Sequence, residues 1–297
     1  MLFRSVDEHK GGEYSITPLG EFSSTQNYQP NTNVLETHFE CETGKYKVID
    51  FAPRFENYER VHKPIALYRK VVLIEGAPRI KITCNPVGEY GEIKSECHEG
   101  SNSLNFSGLK EKVRLTTNAS LTKIMSASDF VLTEDIYLVL TWGQPLEAPL
   151  KRTFDDFLVR TKEYWRNWVR HTSIPSIYQD EVIRSALLLK LHQFEDTGAI
   201  IASGTTSLPE YPGSGRNWDY RYCWIRDSYF TLTALIRLGH FQALASEEGA
   251  VTQRSTAQSR SLASSHLIGQ QLYGLTQILE TGALLWRGDT RCSALGN

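Results

Sequence analysis

The amino-acid sequence predicts a multidomain β + α protein, in which an N-terminal antiparallel β-sandwich is followed by a series of helices. Residues 12–145 hold short runs of Val, Ile, Thr, Tyr and Phe between turn residues, which is typical of an antiparallel sandwich. Near residue 150 the apolar spacing changes to a helical period. We therefore expect three parts: a β-sandwich domain at 1–150, a connecting helix at 151–175 and a helical domain at 176–297.

The β part is predicted from runs that are rich in β-branched and aromatic residues. The clearest candidate strands are residues 45–51, 66–74 and 135–142. Between such runs stand Gly- and Pro-containing turn signals, at 42–44, 75–78 and 86–88. Many short strands with regular turns favour an antiparallel sandwich over a parallel sheet.

The connecting helix is predicted from a start signal and from its apolar spacing. Thr153 and Asp156 form a T-x-x-D pattern, which is typical of a helix N-terminus. Large apolar residues follow at mostly helical spacing, and we expect them to pack: Phe154, Phe157, Leu158, Tyr164, Trp165 and Trp168.

Two further helices are predicted in the second half of the chain. One runs from about residue 179 to 194 and is apolar over most of its surface, so we expect it to be buried. The other runs from about 227 to 238 and ends at Gly239. Asp227 would stand at its N-terminus, where the helix dipole favours a carboxylate. A purely structural role for Asp227 as a helix cap is the alternative.

Residues 216–227 combine aromatic, arginine and aspartate side chains. If this run is extended, alternate side chains share one face, namely Trp218, Tyr220, Tyr222 and Trp224. Flat rings suit the apolar C–H faces of a pyranose, while Arg226 and Asp227 offer a charged donor and acceptor to sugar hydroxyls. The run thus predicts a monosaccharide pocket, and the alternative is a packed aromatic core with a structural ion pair.

Residues 199–239 closely resemble the start of the catalytic domain in prokaryotic glycoside hydrolase family 15. The resemblance runs from Ala-Ile-Ile-Ala-Ser-Gly-Thr-Thr-Ser-Leu-Pro-Glu at 199–210, through Arg-Asp-Ser at 226–228, to Leu-Gly at 238–239. That family contains glucoamylases, glucodextranases and some trehalases. Residues 32–37 and 48–53 also look like its N-terminal β domain. The resemblance implies a β-sandwich followed by an (α/α)6 toroid.

Within the family, an aromatic-x-aromatic-x-Trp-x-Arg-Asp pattern belongs to the subsite that holds the non-reducing terminal glucose. The pattern is met here by Tyr220, Tyr222, Trp224, Arg226 and Asp227. By resemblance, Arg226 and Asp227 bind the glucose hydroxyls, and Tyr220 and Trp224 form apolar walls.

The resemblance implies a glucoamylase-like, inverting hydrolase that removes terminal α-linked glucose. Its substrate would be an α-glucan, a maltooligosaccharide or trehalose. A trehalase of the same family is the alternative within this class. A non-catalytic sugar-binding remnant, or an inactive fragment, is the alternative outside it.

The toroid is expected to be incomplete in this chain. Twelve helices with their loops need roughly 200 residues or more, and fewer follow the connecting helix. The family's two catalytic glutamates belong to motifs C-terminal to anything present, so we assign no catalytic residue. Residues 241–297 are atypical, through either a shifted reading frame or divergence, and the N-terminal segment also looks clipped.

The composition limits which binding partners and which cellular compartment we expect. A net charge of −2 shows no basic excess, so we expect neither nucleic acid nor a membrane as partner. Charges interrupt the first ten residues and no run of about 18 apolar residues occurs, which predicts a cytoplasmic protein. The five cysteines include no C-x-x-C, and the histidines are not clustered, so neither a metal nor another cofactor is expected. No pattern indicates an oligomeric state.

Overall fold

The computed structural model of the protein describes residues 11–240, apart from 59, 147, 196, 205–210, 212–214, 217, 219 and 221. Most of the described chain before residue 145 is β structure. The strands are β1 (Glu13–Pro18), β2 (Phe22–Tyr28), β3 (Leu35–Cys41), β4 (Gly44–Phe51), β5 (Phe55–Asn57), β6 (Arg60–His62), β7 (Ala66–Gly76), β8 (Arg79–Asn85), β9 (Val87–Gly88), β10 (Ile93–Lys94), β11 (Glu96–Glu99), β12 (Ser103–Ser107), β13 (Val113–Thr117), β14 (Phe130–Val131) and β15 (Ile136–Trp142).

Two antiparallel sheets dominate this region. The larger has eight strands in the order β11-β12-β13-β15-β7-β4-β3-β2, and the smaller has three in the order β1-β8-β14. The three candidate strands from the sequence are β4, β7 and β15, which lie side by side in the larger sheet. The turn predicted at 86–88 is wrong, because Val87 and Gly88 form β9 and pair with β10.

The two sheets face each other across a hydrophobic core. Along β15, Ile136, Leu138 and Leu140 point into this core, while Tyr137 and Val139 point to the opposite face. This follows from the two-residue period of a strand. The smaller sheet contributes the buried side chains of Tyr14, Ile16, Ile80 and Ile82. The arrangement is consistent with the predicted antiparallel sandwich.

A buried ion pair ties the two sheets together. The Arg69 guanidinium lies 2.9 Å and 3.1 Å from the two carboxylate oxygens of Asp50, and both side chains are buried. Its remaining arm donates to the backbone oxygen of Tyr14 on β1, at 2.9 Å. Burial without partners would be costly for either charge. The hydrogen bonds between Arg69 and Asp50 compensate both charges. The bond from Arg69 to the Tyr14 oxygen holds β1 over β4 and β7.

Four helices lie in the described residues: α1 (Leu121–Met125), α2 (Leu150–Arg170), α3 (Gln179–Leu191) and α4 (Ile225–Arg237). None of them is long and apolar enough to cross a membrane. The predicted start signal at Thr153 is wrong, because Pro149 occupies the N-cap and the Thr153 amide already donates to its carbonyl oxygen at 3.0 Å. The helix ends at Arg170, five residues before the predicted limit at 175, and His171 is its C-cap. α3 also ends before its predicted limit, and α4 begins two residues earlier than predicted.

Helix α2 covers the face of the larger sheet that is turned away from the smaller one. Phe154 is fully buried, and its ring centroid lies 5.3 Å from that of Phe51, 5.5 Å from Tyr68 and 5.2 Å from Tyr137. Aromatic pairs at such distances add to the energy of burial. The predicted packing role of this helix is confirmed for Phe154, and α2 joins the β structure to the helices that follow.

Candidate functional site

The chain reaches the aromatic run through a tight turn after α3. Phe194 donates its amide hydrogen to the Ala199 oxygen at 2.8 Å, and Gln193 pairs with Ile200 in an isolated bridge. Ala199, Ile200 and Ile201 are buried. We call residues 216–227 the aromatic run. We call residues 199–204 the support segment, because the backbone amides of Ala202 and Ser203 donate hydrogen bonds to the aromatic run.

Two backbone hydrogen bonds connect the support segment to the aromatic run. The Ala202 amide donates to the Tyr222 oxygen at 3.2 Å, and the Ser203 amide donates to the Tyr220 oxygen at 3.1 Å. The two donors are consecutive residues and the two acceptors are alternate residues of the run, so the contact is irregular and is not a strand pairing. The position of the aromatic side chains therefore depends on the position of the support segment.

Three of the four aromatic side chains predicted to share a face come together. The Trp224 ring lies 6.1 Å from the Trp218 ring, nearly perpendicular to it, and 6.0 Å from the Tyr220 ring. Trp218 is 45% exposed. Tyr222 is 53% exposed, and no ring contact joins it to these three within the described residues. The result is a partly open aromatic surface, more exposed than a packed core.

Arg226 and Asp227 lie in the first turn of α4, next to this surface. Trp224 is the N-cap and is still extended, with φ −92° and ψ 123°, so the chain turns into the helix directly after the aromatic ring. The Arg226 guanidinium lies 5.9 Å from the Trp224 ring centroid. Its nitrogen is 3.3 Å from Asp227 Oδ2.

The carboxylate of Asp227 has unused acceptor capacity. Its Oδ2 atom is buried, yet within the described residues it accepts no hydrogen bond, because the contact with Arg226 lacks hydrogen-bond geometry. A buried carboxylate oxygen normally accepts hydrogen bonds. The dipole of α4 also favours negative charge at this position. An incoming hydroxyl group would find an acceptor here.

A buried polar cluster lies on the other side of the turn that precedes the support segment, and sequence reasoning missed it. Glu195 contacts the Arg54 guanidinium at 2.8 Å and the Lys190 ammonium at 3.1 Å, and accepts a hydrogen bond from the Tyr164 hydroxyl. Burial raises the pKa of Glu195, but the two cations outweigh it and lower the pKa to about 2. The cluster joins the β region, α2 and α3. Lys190, which interrupts the apolar residues at the end of α3, was the signal in the sequence.

Residues 176–268 match the family model described as Glycosyl hydrolases family 15. This part of the chain belongs to glycoside hydrolase family 15. The family's segment therefore includes the support segment, the aromatic run and α4, as the resemblance at 199–239 predicted.

The relatives with known names are trehalases. Over 249 residues the chain is 32% identical to a trehalase of Thermoplasma acidophilum, covering 80% of this chain and 42% of the relative. It is 28% identical to a trehalase of Mycobacterium tuberculosis, over 80% of this chain and 39% of the relative. A trehalase of Sulfolobus acidocaldarius, named Trehalase 2, is 29% identical over 78% of this chain and 40% of its own length.

The chain thus spans about two fifths of the length of these family 15 relatives. No solved structure matches the chain significantly. All three of these relatives carry the name trehalase, and none carries the name glucoamylase.

Proposed function

We propose that the chain acts on trehalose as part of a family 15 hydrolase, and that its aromatic run with Arg226 and Asp227 holds one terminal glucose unit. The proposal rests above all on the buried Asp227 oxygen, which accepts no hydrogen bond within the described residues, at the edge of an exposed aromatic surface. The names of the relatives support trehalose over α-glucans and maltooligosaccharides.

Each part of the surface has a role that follows from its chemistry. Trp224 and Tyr220 offer ring faces to the apolar C–H face of a pyranose, which excludes water from one side of the sugar. Asp227 accepts hydrogen bonds from two neighbouring hydroxyl groups, and the mostly exposed Arg226 turns from its carboxylate contact to donate to a sugar oxygen. Any gauche pair of neighbouring hydroxyls matches the spacing of a carboxylate, so the preference for glucose would come from direction: the axial 4-hydroxyl of galactose points away from the direction of the equatorial one in glucose.

Bond cleavage needs more than this surface provides. Hydrolysis requires one group that protonates the leaving oxygen and a second that activates water. The proposal gives the described residues the task of binding and orienting glucose, and gives no residue of this chain the acid or base role. In the same way, α2, α3 and α4 are proposed as the first helices of an (α/α)6 toroid, with the β region packed against them.

A panel of sugars tests the substrate. Tryptophan fluorescence of the full chain is recorded during titration with trehalose, methyl α-glucoside, maltose and methyl α-galactoside, because Trp218 and Trp224 line the surface. We expect saturable changes with all three glucose-containing ligands and none with the galactoside, whose axial hydroxyl cannot pair with the carboxylate in the same way.

Two further results test the substrate and the Asp227 contact, and the first applies only where glucose is released at all. Glucose released from trehalose faster than from maltose supports a trehalase, and release from maltose alone contradicts the proposal. Equal responses to glucoside and galactoside would mean that the aromatic surface binds sugars without the Asp227 contact. In a matched control, Tyr229→Ala alters an exposed ring of α4 outside the proposed surface and should leave the titration unchanged.

A further inference from the structure

The imidazole of His192 connects the end of α3 to the support segment. His192 Nε2 lies 3.1 Å from the Gly204 amide nitrogen, which donates to it. Nδ1 lies 2.8 Å from the Leu188 carbonyl oxygen, one helical turn earlier. An amide can only donate, so Nε2 is the acceptor and Nδ1 carries the proton. This is the neutral form of the ring, in one defined tautomer.

We propose that His192 is a positioning residue that holds the support segment, and through it the aromatic run, in place for the sugar. His192 contributes twice, since its backbone oxygen also accepts from the Ile201 amide at 3.1 Å. The segment is thus fixed at Ile201 and Gly204. The two amides between them donate to the backbone of the aromatic run. The hydrogen bonds of His192 are independent of the proposed function. Only the purpose of the positioning, which is sugar binding, rests on that proposal.

The charged groups on the surrounding elements are engaged with one another. Lys190 of α3 pairs with Glu195 of the following turn, and Arg226 of α4 pairs with Asp227. A protonated imidazole would therefore lose the Gly204 bond and would gain no carboxylate partner in exchange.

The acid–base behaviour of His192 gives the inference a distinctive readout. Burial lowers the pKa of His192, and the hydrogen bond to Leu188 raises it by less. The folded form thus favours the neutral ring, so the stabilisation is complete above the unfolded pKa of about 6.5 and is lost as the pH falls below it. Any buried histidine resists protonation in this way, so the dependence is read at the Gly204 amide, which only an acceptor role of His192 would affect.

Amide exchange at Gly204, measured by NMR on the full chain without sugar, tests the hydrogen bond itself. In the unaltered protein we expect the protection factor of Gly204 to fall about two- to tenfold from pH 7.5 to pH 5, which is the range for one hydrogen bond. In His192→Gln an amide oxygen can accept the same bond without titrating, so protection should persist at both values. His192→Phe should show weak protection at both. His171→Gln alters an exposed histidine with the same contact to its own helix and is the control.

Trehalose affinity of the same proteins tests what the bond is for. We expect affinity to fall with pH in the unaltered protein, to stay level in His192→Gln and to be low throughout in His192→Phe. A Gly204 protection factor that is the same in both variants as in the unaltered protein would overturn the inference. So would an affinity that stays unchanged while protection is lost. If His192→Phe does not fold, the pH profile of His192→Gln decides alone.

The two proposals fail in different ways. Absence of trehalose binding in every protein, with Gly204 protection still following His192, removes the proposed function and leaves the hydrogen bond in place. Trehalose binding that changes neither with pH nor with substitution of residue 192 removes the positioning role of His192 and leaves the proposed function in place.

Discussion

Replacing Glu195 by glutamine should destabilise the fold more than any other single loss of negative charge in the helical part. Glu195 is the acid that faces both the Arg54 guanidinium and the Lys190 ammonium. Its side chain is 14% exposed, and that of Arg54 is 8% exposed. The substitution keeps the size of the side chain and removes its charge. Two buried cations then remain without a counterion.

The magnitude follows in two ways. Breaking a buried ion pair by removing one partner costs about 3–5 kcal/mol. Independently, the cations hold the pKa of Glu195 at about 2, against about 4.3 in an unfolded chain, which corresponds to about 3 kcal/mol of stability at neutral pH. The two figures agree on about 3 kcal/mol.

The pH dependence of the effect has a defined sign. Because the folded pKa of Glu195 is depressed, its contribution is complete above about pH 4.3 and is lost as the pH falls towards 2. Urea unfolding followed by tryptophan fluorescence reports on this region, since Arg54 packs over the Trp165 ring at 5.3 Å. The gap between the parent protein and Glu195→Gln should therefore be about 3 kcal/mol at pH 7, and should shrink below pH 4.

A matched control separates this effect from the general loss of one charge. Glu163 lies on the exposed side of α2, so Glu163→Gln should change the unfolding free energy by less than about 0.5 kcal/mol. Equal stabilities for the two variants at pH 7 would refute the reasoning. So would a gap that persists undiminished at pH 2.5.

Three further substitutions test the packing. Phe154→Ala should lower the unfolding free energy by about 3–5 kcal/mol, because it removes a fully buried ring from the joint between α2 and the sheet; a loss below about 1 kcal/mol would place α2 elsewhere. Asp50→Ala should cost about 3–5 kcal/mol by leaving a buried guanidinium unpaired, and unchanged thermal unfolding would contradict the ion pair. Gly44→Ala should destabilise more than Gly20→Ala in urea titrations, because a Cβ at Gly44 would meet a backbone oxygen at 2.2 Å whereas one at Gly20 meets nothing within 4 Å.

Local patterns in the sequence were enough to place the central strands and the helices. Strands β4, β7 and β15 were predicted from their β-branched and aromatic runs, and the structure confirms them as neighbours in one sheet. Helix α2 was predicted from its apolar spacing. These features are recognisable because each depends on residues that are close in the chain.

The boundaries were less predictable, because competing local signals have to be weighed. The T-x-x-D pattern at Thr153 was taken as a helix start, yet Pro149 provides an earlier one. Proline has a fixed φ and no amide hydrogen to lose, which suits a helix entrance.

Contacts between distant residues were not predictable from one sequence. Arg54 meets Glu195 across more than a hundred positions, and nothing local to either residue indicates the partner. The bond from Gly204 to His192 depends on the turn that brings α3 back against the support segment. Alternation grouped four rings, of which Trp218, Tyr220 and Trp224 come together while Tyr222 stays apart, because the run is not a regular strand.

The central claim is that Asp227 binds the hydroxyls of a terminal glucose. Isothermal titration of trehalose into the full chain, into Asp227→Ala and into the control Asp156→Ala, an exposed acid of α2, tests it most directly. We expect one-site binding by the parent and the control, and an affinity about 10- to 100-fold lower for Asp227→Ala, the loss expected for hydrogen bonds to a charged group. Equal affinity in all three proteins, or no binding by the folded parent, would contradict it.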